Sequence, residues 1–307
     1  MERVVAMQIL VIGGTSFIGP YVVRQIVQLG HGVTVFHRGK TEADLPEGVT
    51  HYHSEAAGIP VRQFPEDLPR RNFDVVIHMN AMGLEDAQAA VQAFRGRTGR
   101  IVWLSSGDVY RAYGRFSGHE PGPIEPGPLT EDSPLRTVFF PYRDKAKSPG
   151  DLYYYYDKIL VEQTALEAQA PPAVILRLPK VYGKKSNADL ATVYTYRNYP
   201  DWRWTHGYVE NVAAAIVLAA TVPTTPSRIY NVGEEPTPTI SERLAGLPSS
   251  QIPVNTSGQF NFAQNIVYDT SRIRRELAYA EPISYGEGIR RTLEPAFASL
   301  PDVSQAF

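Results

Sequence analysis

The first half of the chain alternates between two hydrophobic periods. Residues 8–12 (QILVI) are an almost unbroken apolar run, the pattern of a strand buried on both faces. Residues 17–29 (FIGPYVVRQIVQL) carry apolar side chains at helical spacing. Gly30-His31-Gly32 ends that helix before the next apolar run, VTVF at 33–36. DVVIH at 74–78, RIVWLSS at 100–106 and AVILRL at 173–178 repeat the strand signal, with a helix predicted over 85–95. Short apolar strands separated by helices predict a parallel sheet covered on both faces. Right-handed crossovers then give a Rossmann-type doubly wound α/β fold, whose ligand crevice lies at the carboxyl ends of the strands.

Residues 111–152 break this rhythm, with Pro and Gly scattered through a mostly polar stretch that leads into a tyrosine-rich helical segment. A long irregular segment in that place predicts an active-site flap. Beyond 178 the pattern is irregular apart from one apolar helix at 209–221 (VENVAAAIVLAAT). The predicted division is a Rossmann domain over 1–178 and a smaller, mainly substrate-binding lobe over 179–307, partly interleaved with it.

The 307 residues are 43% hydrophobic and 20% charged, ordinary for a globular chain. Thirty Lys+Arg against 32 Asp+Glu leave a net charge of −2, so no nucleic-acid or membrane partner is expected. The absence of cysteine excludes disulfides, thiolate catalysis and cysteine-bound zinc, and no metal site is expected. The apolar start is too short for a signal peptide and no run reaches transmembrane length, so a cytoplasmic location is expected.

Between the first strand and helix lies Gly13-Gly14-Thr15-Ser16-Phe17-Ile18-Gly19. Glycine permits a tight turn and close backbone approach, and a helix N-terminus favours a pyrophosphate. The stretch VIGGTSFIG resembles the GxxGxxG fingerprint of extended short-chain dehydrogenases/reductases of the NAD(P)-dependent epimerase/dehydratase type. Gly13 and Gly19 match the outer glycines. Ser16 replaces the middle one, which requires a negative φ there. The resemblance implies cofactor contacts from Gly13 through Gly19. At the end of the second strand, VTVFHRGK offers His37, Arg38 and Lys40 and no acid. An acid there would bind the ribose hydroxyls, whereas a guanidinium suits a 2′-phosphate, so NADP is expected, with NAD as the alternative. His78, Asn80 and Ala81 resemble the family's HLAA segment lining the crevice, with His78 expected to be structural.

Tyr154 and Lys158 stand four apart in DLYYYYDKILVEQTALEA, a spacing that puts both on one helical face. A phenol must transfer a proton at neutral pH, and a neighbouring ammonium favours its ionised form. Of the four consecutive tyrosines only Tyr154 has a lysine at i+4. Tyr153, Tyr155 and Tyr156 are expected to pack or line the pocket. With Glu162 the pattern is similar to the family's YxxxKxxxE, which implies catalytic roles for Tyr154 and Lys158. WLSSGDVY resembles the family's SS(S/T)xxVYG segment, which assigns Ser106 to hold the substrate oxygen. Asp108 falls where the dehydratases carry a glutamate and is a candidate base.

ILRLPKVYG resembles the family's LRxxNVYGP segment. It implies cofactor contacts at Pro179 and Val181 and a substrate contact at Lys180, with Lys184 and Lys185 adding positive charge. WRWTHGYVENVAAA and YNVGEE are also family-like, and the resemblance places Arg203 on the substrate. The expected function is oxidation or reduction of a carbinol or carbonyl carbon by Ser/Tyr/Lys chemistry, with hydride transfer, on a small molecule such as a nucleotide sugar. The alternatives are an NADP-dependent reductase of a small carbonyl compound and a non-enzymatic RNA-binding relative, since chloroplast RNA-binding relatives carry a similar GGTxFIG loop. The family also implies a homodimer built on the helices near 85–95 and 153–169.

Overall fold

Each apolar run of the sequence becomes a strand. The computed structural model describes residues 5–184, 190–223, 227–256 and 259–294. The strands are β1 (Gln8–Ile12), β2 (Gly32–His37), β3 (Thr50–His53), β4 (Val75–His78), β5 (Arg100–Ser106), β6 (Ala173–Leu178), β7 (Lys180–Tyr182), β8 (His206–Tyr208) and β9 (Arg228–Asn231). The helices are α1 (Gly19–Gln28), α2 (Leu84–Phe94), α3 (Arg111–Ser117), α4 (Leu152–Tyr155), α5 (Lys158–Glu167), α6 (Ala191–Thr195), α7 (Val209–Thr221), α8 (Ile240–Leu244), α9 (Ser271–Leu277) and α10 (Tyr285–Leu293). Seven strands form one sheet in the order β3-β2-β1-β4-β5-β6-β9, with every neighbouring pair parallel. β7 and β8 form a small parallel pair beside it.

The fold is the doubly wound Rossmann-type sheet. All four residues of β4 are buried, as a strand covered on both faces requires. α1 packs with α7 and α2 packs with α5, and each pair covers one face. A third apolar cluster joins Tyr110, Phe116 and Ile159 from the first half of the chain to Tyr182, Trp202, Tyr208 and Tyr268 from the second. The later chain also serves the main sheet, since α7 packs on α1 and β9 pairs with β6. Strand order reverses between β1 and β4, which opens a crevice over their carboxyl ends.

Two segments differ from the sequence reading. Residues 111–117 form α3 inside the stretch expected to be irregular. That stretch is also anchored by buried groups: Arg136 is paired with Asp157 at 3.4 Å, and the Glu131 carboxylate accepts from the Asn231 amide at 2.8 Å. The single helix expected over 153–169 is two helices, α4 and α5. Between them Tyr156 and Asp157 take extended backbone angles, and Asp157 caps α5 by accepting from the Ile159 amide at 3.0 Å. The Asp157 carboxylate also accepts from the Phe140 amide at 2.6 Å, so fully buried anchoring fixes the break.

Candidate active site

β1 delivers the chain into a glycine turn. Gly13 has φ +85°, in the left-handed region, and a side chain there would press on the Asn80 amide. A Cβ at Gly19 would collide with the Gly14 carbonyl, which is how α1 comes to start so close to the turn. Besides Gly13, the left-handed residue of the loop is Phe17, at φ +44°, and Ser16 does not share that strain. The positive end of the α1 dipole therefore faces the turn.

A cleft of about 420 Å³ runs over this turn. Gly13, Thr15, Ser16, Phe17, Ile18, His37, Arg38, Lys40, Asn80 and Lys158 line it, together with Ser105, Leu104 and Leu178, which the sequence reading did not assign. Gly19 lies behind the loop, and Ala81 and His78 lie beneath it. His78 has no hydrogen-bond partner for either ring nitrogen, stacks on Trp103 and is pushed down to a pKa of about 3 by burial and then Lys158. It is a neutral core residue. The Asn80 carbonyl oxygen is buried and also unpartnered, and it sits beside Gly13. A dinucleotide fits this cradle: a glycine turn, a helix N-terminus, an orphaned amide oxygen, and Arg38 exposed at one end without an ion-pair partner among the described residues.

The other end of the cleft is where structure and sequence part. Tyr154 is 39% exposed; its ring lies under the Arg143 guanidinium, and it lines neither the cleft nor the adjoining cavity. The expectation that Tyr154 and Lys158 share a helical face fails, because the helix is interrupted between them. Tyr156 takes the interior place instead. Its hydroxyl donates to Asp108 Oδ2 at 2.9 Å, its ring lies 5.9 Å from Lys158 Nζ, and it shares a cavity wall with Ser106. Lys158 is 5% exposed and donates to the Ala81 and Leu104 carbonyls at 2.5 and 2.9 Å. An ammonium has three donors, so one remains for the cleft. Burial pushes Lys158 down to about 8, against Asp108, Asp86 and Glu162, which raise it. Its place in the first turn of α5 disfavours the charge further.

Asp108 is 5% exposed. Its Oδ2 accepts from both Tyr142 at 3.0 Å and Tyr156 at 2.9 Å, while Oδ1 has no partner. Burial raises its pKa, with Arg136 the largest opposing influence, and burial followed by the Asp108 charge holds the Tyr156 phenol well above its ordinary value. Ser105, next to Ser106, turns the other way and donates to Glu162 at 2.6 Å. Glu162 in turn forms a buried pair with Arg177 at 2.7 Å, a structural role.

A second cavity of about 300 Å³ adjoins the cleft at Leu178. Ser106, Asp108, Tyr142, Tyr156, Pro179, Lys180, Trp204 and Tyr268 are among its walls. Gly107 belongs here because a Cβ would run into the Tyr268 hydroxyl. Lys180 is brought to this cavity, where burial lowers its pKa. Val181 packs in the core and lines neither space. Arg203 points away: it donates to the Thr237 carbonyl at 2.6 Å and reaches Glu242 at 3.5 Å. The local chain is extended, so neighbours alternate sides, and Trp204 is the residue that faces the cavity. Lys184 is exposed, and Lys185 lies outside the described residues. Tyr142, Trp204 and Tyr268 had no sequence signal, since long-range folding alone gathers them.

The Arabidopsis thaliana chloroplast stem-loop binding protein of 41 kDa b is 28% identical over 116 residues, which is 34% of this chain and 30% of that protein. The match thus spans under a third of the relative. Among solved structures, the Bordetella bronchiseptica enzyme WbmG in complex with NAD has a TM-score of 0.66 at 16% identity, covering 95% of this chain and 94% of that one. The Thermotoga maritima UDP-glucose 4-epimerase with UDP-glucose has a TM-score of 0.63 at 17% identity, covering 93% and 97%. These likenesses show the fold. The sequence profile of the NAD dependent epimerase/dehydratase family matches residues 9–233, most of the crevice and its walls, and the chain belongs to that family.

Proposed function

We propose that the protein is a nicotinamide-dependent enzyme acting on a carbinol or carbonyl carbon of a nucleotide sugar, with Tyr156 as the proton-transfer group. The Tyr156–Asp108 hydrogen bond, beside Lys158 and with Ser106 on the same cavity wall at the junction of cleft and cavity, carries this reading. When bound in the cleft, the cofactor supplies a two-electron hydride acceptor or donor. Ser106 and the Tyr156 hydroxyl hold the substrate oxygen between them. In the oxidising direction the substrate hydroxyl proton passes to the Tyr156 oxygen while the Tyr156 proton passes to Asp108 Oδ2. The reverse transfer returns it. Tyr142 steadies the carboxylate throughout, and Lys158 holds the ribose side with its remaining donor. Lys180 supplies positive charge to an anionic substrate from the cavity wall.

Arg38 at the open end, without an ion-pair partner among the described residues, favours NADP over NAD, although WbmG is a complex with NAD. The family's usual homodimer is our reading of the assembly, which light scattering tests. The likeness to a stem-loop binding protein supports a second reading, an RNA-binding scaffold. Among the described residues no helix is long and apolar enough to cross a membrane.

The deciding experiment incubates the purified protein with each oxidised cofactor and a panel of UDP-sugars, following nicotinamide absorbance and sugar products. Conversion of a nucleotide sugar supports the enzyme. No conversion, together with tight binding of a stem-loop RNA, would establish the scaffold instead.

A further inference from the structure

We propose that His37, Glu42, His51 and His53 bind one divalent transition-metal ion of the zinc class at the edge of the main sheet. The fold itself gathers these residues. β2 and β3 are parallel with His37 opposite His53, and side chains two apart on a strand share a face. His37, His51 and His53 therefore crowd one side, while Phe36 and Tyr52 pack together on the other at 5.8 Å between ring centroids. The histidine ring centroids are 4.4, 5.1 and 5.8 Å apart. Glu42 reaches in from the loop after β2, 3.5 Å from His53 Nε2 and 3.9 Å from His51 Nδ1.

One ligand atom from each of the four residues lies within 4.8 Å of all the others. A tetrahedral zinc ion with bonds of about 2.0–2.1 Å separates its ligand atoms by roughly 3.3 Å. Small rotations of the exposed Glu42 and His53 side chains close that difference. Three imidazoles and a carboxylate suit zinc, copper, nickel or cobalt, and four protein ligands make a closed, structural site. The site lies at the end of the crevice away from Tyr156 and takes no part in the reaction proposed above.

His37 is the buried member of the cluster, 5% exposed. His37 Nε2 lies 2.9 Å from His51 Nδ1, so the two rings share a single proton. The Gly39 amide donates to His37 Nδ1 at 3.3 Å, which puts that proton on Nε2. A metal on Nε2 moves the proton to Nδ1 and releases the Gly39 amide, so loading also resets the loop that carries Arg38 and Lys40.

The test uses the full chain with any polyhistidine tag removed and metal stripped by chelator. Zinc titrated in a calorimeter should bind at one equivalent with a Kd of roughly micromolar or tighter. Cobalt(II) should give the intense visible bands of a four-coordinate ion. His51→Ala and His53→Ala, both on the exposed edge strand, should each weaken zinc at least about tenfold. Glu42→Gln should weaken it less while the far-ultraviolet spectrum is kept. A wild type showing no saturable binding, or only the pale six-coordinate cobalt spectrum, overturns the site. So does zinc binding that is unchanged in both histidine variants.

Discussion

At the β2–β3 end of the crevice, Arg38 and Lys40 stand in solvent. At the β5–β6 end, Asp108, Lys158 and Glu162 are almost wholly enclosed. Lys40 pairs with Glu55 at 3.6 Å with both side chains mostly exposed, and such a pair contributes little to stability. The enclosed charges are of a different kind. Glu162 and Arg177 are matched at 2.7 Å, whereas Asp108 faces two phenols and keeps one oxygen unpartnered. The open end can choose a cofactor by charge because water lets Arg38 wait unpaired. The enclosed end can move protons because burial has displaced the pKa values of Asp108, Tyr156 and Lys158 from their ordinary ranges.

The sharpest test of that contrast is Tyr156→Phe. Loss of the hydroxyl should slow turnover by about 10²–10⁴-fold while cofactor affinity, read by fluorescence titration, stays nearly constant. Tyr154→Phe should change turnover by less than about threefold, because that ring lies outside both cavities. The opposite pattern would return the chemistry to Tyr154. Next in size is Glu162→Gln, which strands the buried Arg177 charge. Denaturant unfolding should show a loss of about 3–5 kcal/mol. A loss within the range of a surface substitution would mean that the enclosed end is wetter than its burial implies.

At the open end, Arg38→Ala should weaken NADP(H) by about 1.5 kcal/mol, leave NAD(H) unchanged, and lose its effect as salt is raised. Equal affinity for both cofactors in the wild type would remove Arg38 as the selector. The smallest effect on stability belongs to Asp108→Asn. Asp108 has a raised native pKa, so the unfolded chain ionises first, near pH 4. Native stability then falls as pH rises from there through the raised value. The asparagine variant escapes that penalty and should be more stable by about 1 kcal/mol at neutral pH, with the advantage gone below about pH 4. Its turnover in the oxidising direction should fall about as far as that of Tyr156→Phe, because an amide cannot take the Tyr156 proton. Urea titrations at the two pH values would contradict this if the variant were equally destabilised at both.

Five strands of the sheet were legible because they are consecutive apolar runs, whereas β3 (THYH) and β9 (RIYN) are not. The glycine turn was legible for the same local reason: Gly13 needs φ +85° and Gly19 needs a bare backbone. The expectation that Tyr154 and Lys158 share a helical face failed because i+4 spacing assumes an unbroken helix, and Asp157 interrupts it. An Asp ahead of KILVE has the character of an N-cap and is the local feature that marks the break. Arg203 was misplaced by one position in an extended segment, where one step reverses the side. The histidine cluster had a partial signal in the alternating HYH of β3, but its link to His37 exists only through strand pairing.

The break between α4 and α5 has a consequence for how such a site can change over time. In an unbroken helix, Tyr156 and Lys158 would be about 200° apart around the axis, on opposite faces, and Tyr154 would be about 40° from the lysine. Four adjacent phenols mean that either phase of the helix presents a hydroxyl to the crevice. A lineage could gain or lose the Asp157 cap and pass from one donor to another without a generation that lacked one. Asp157→Ala would remove the cap but also strand the buried Arg136 charge, so an exchange of tyrosines would come with a loss of stability.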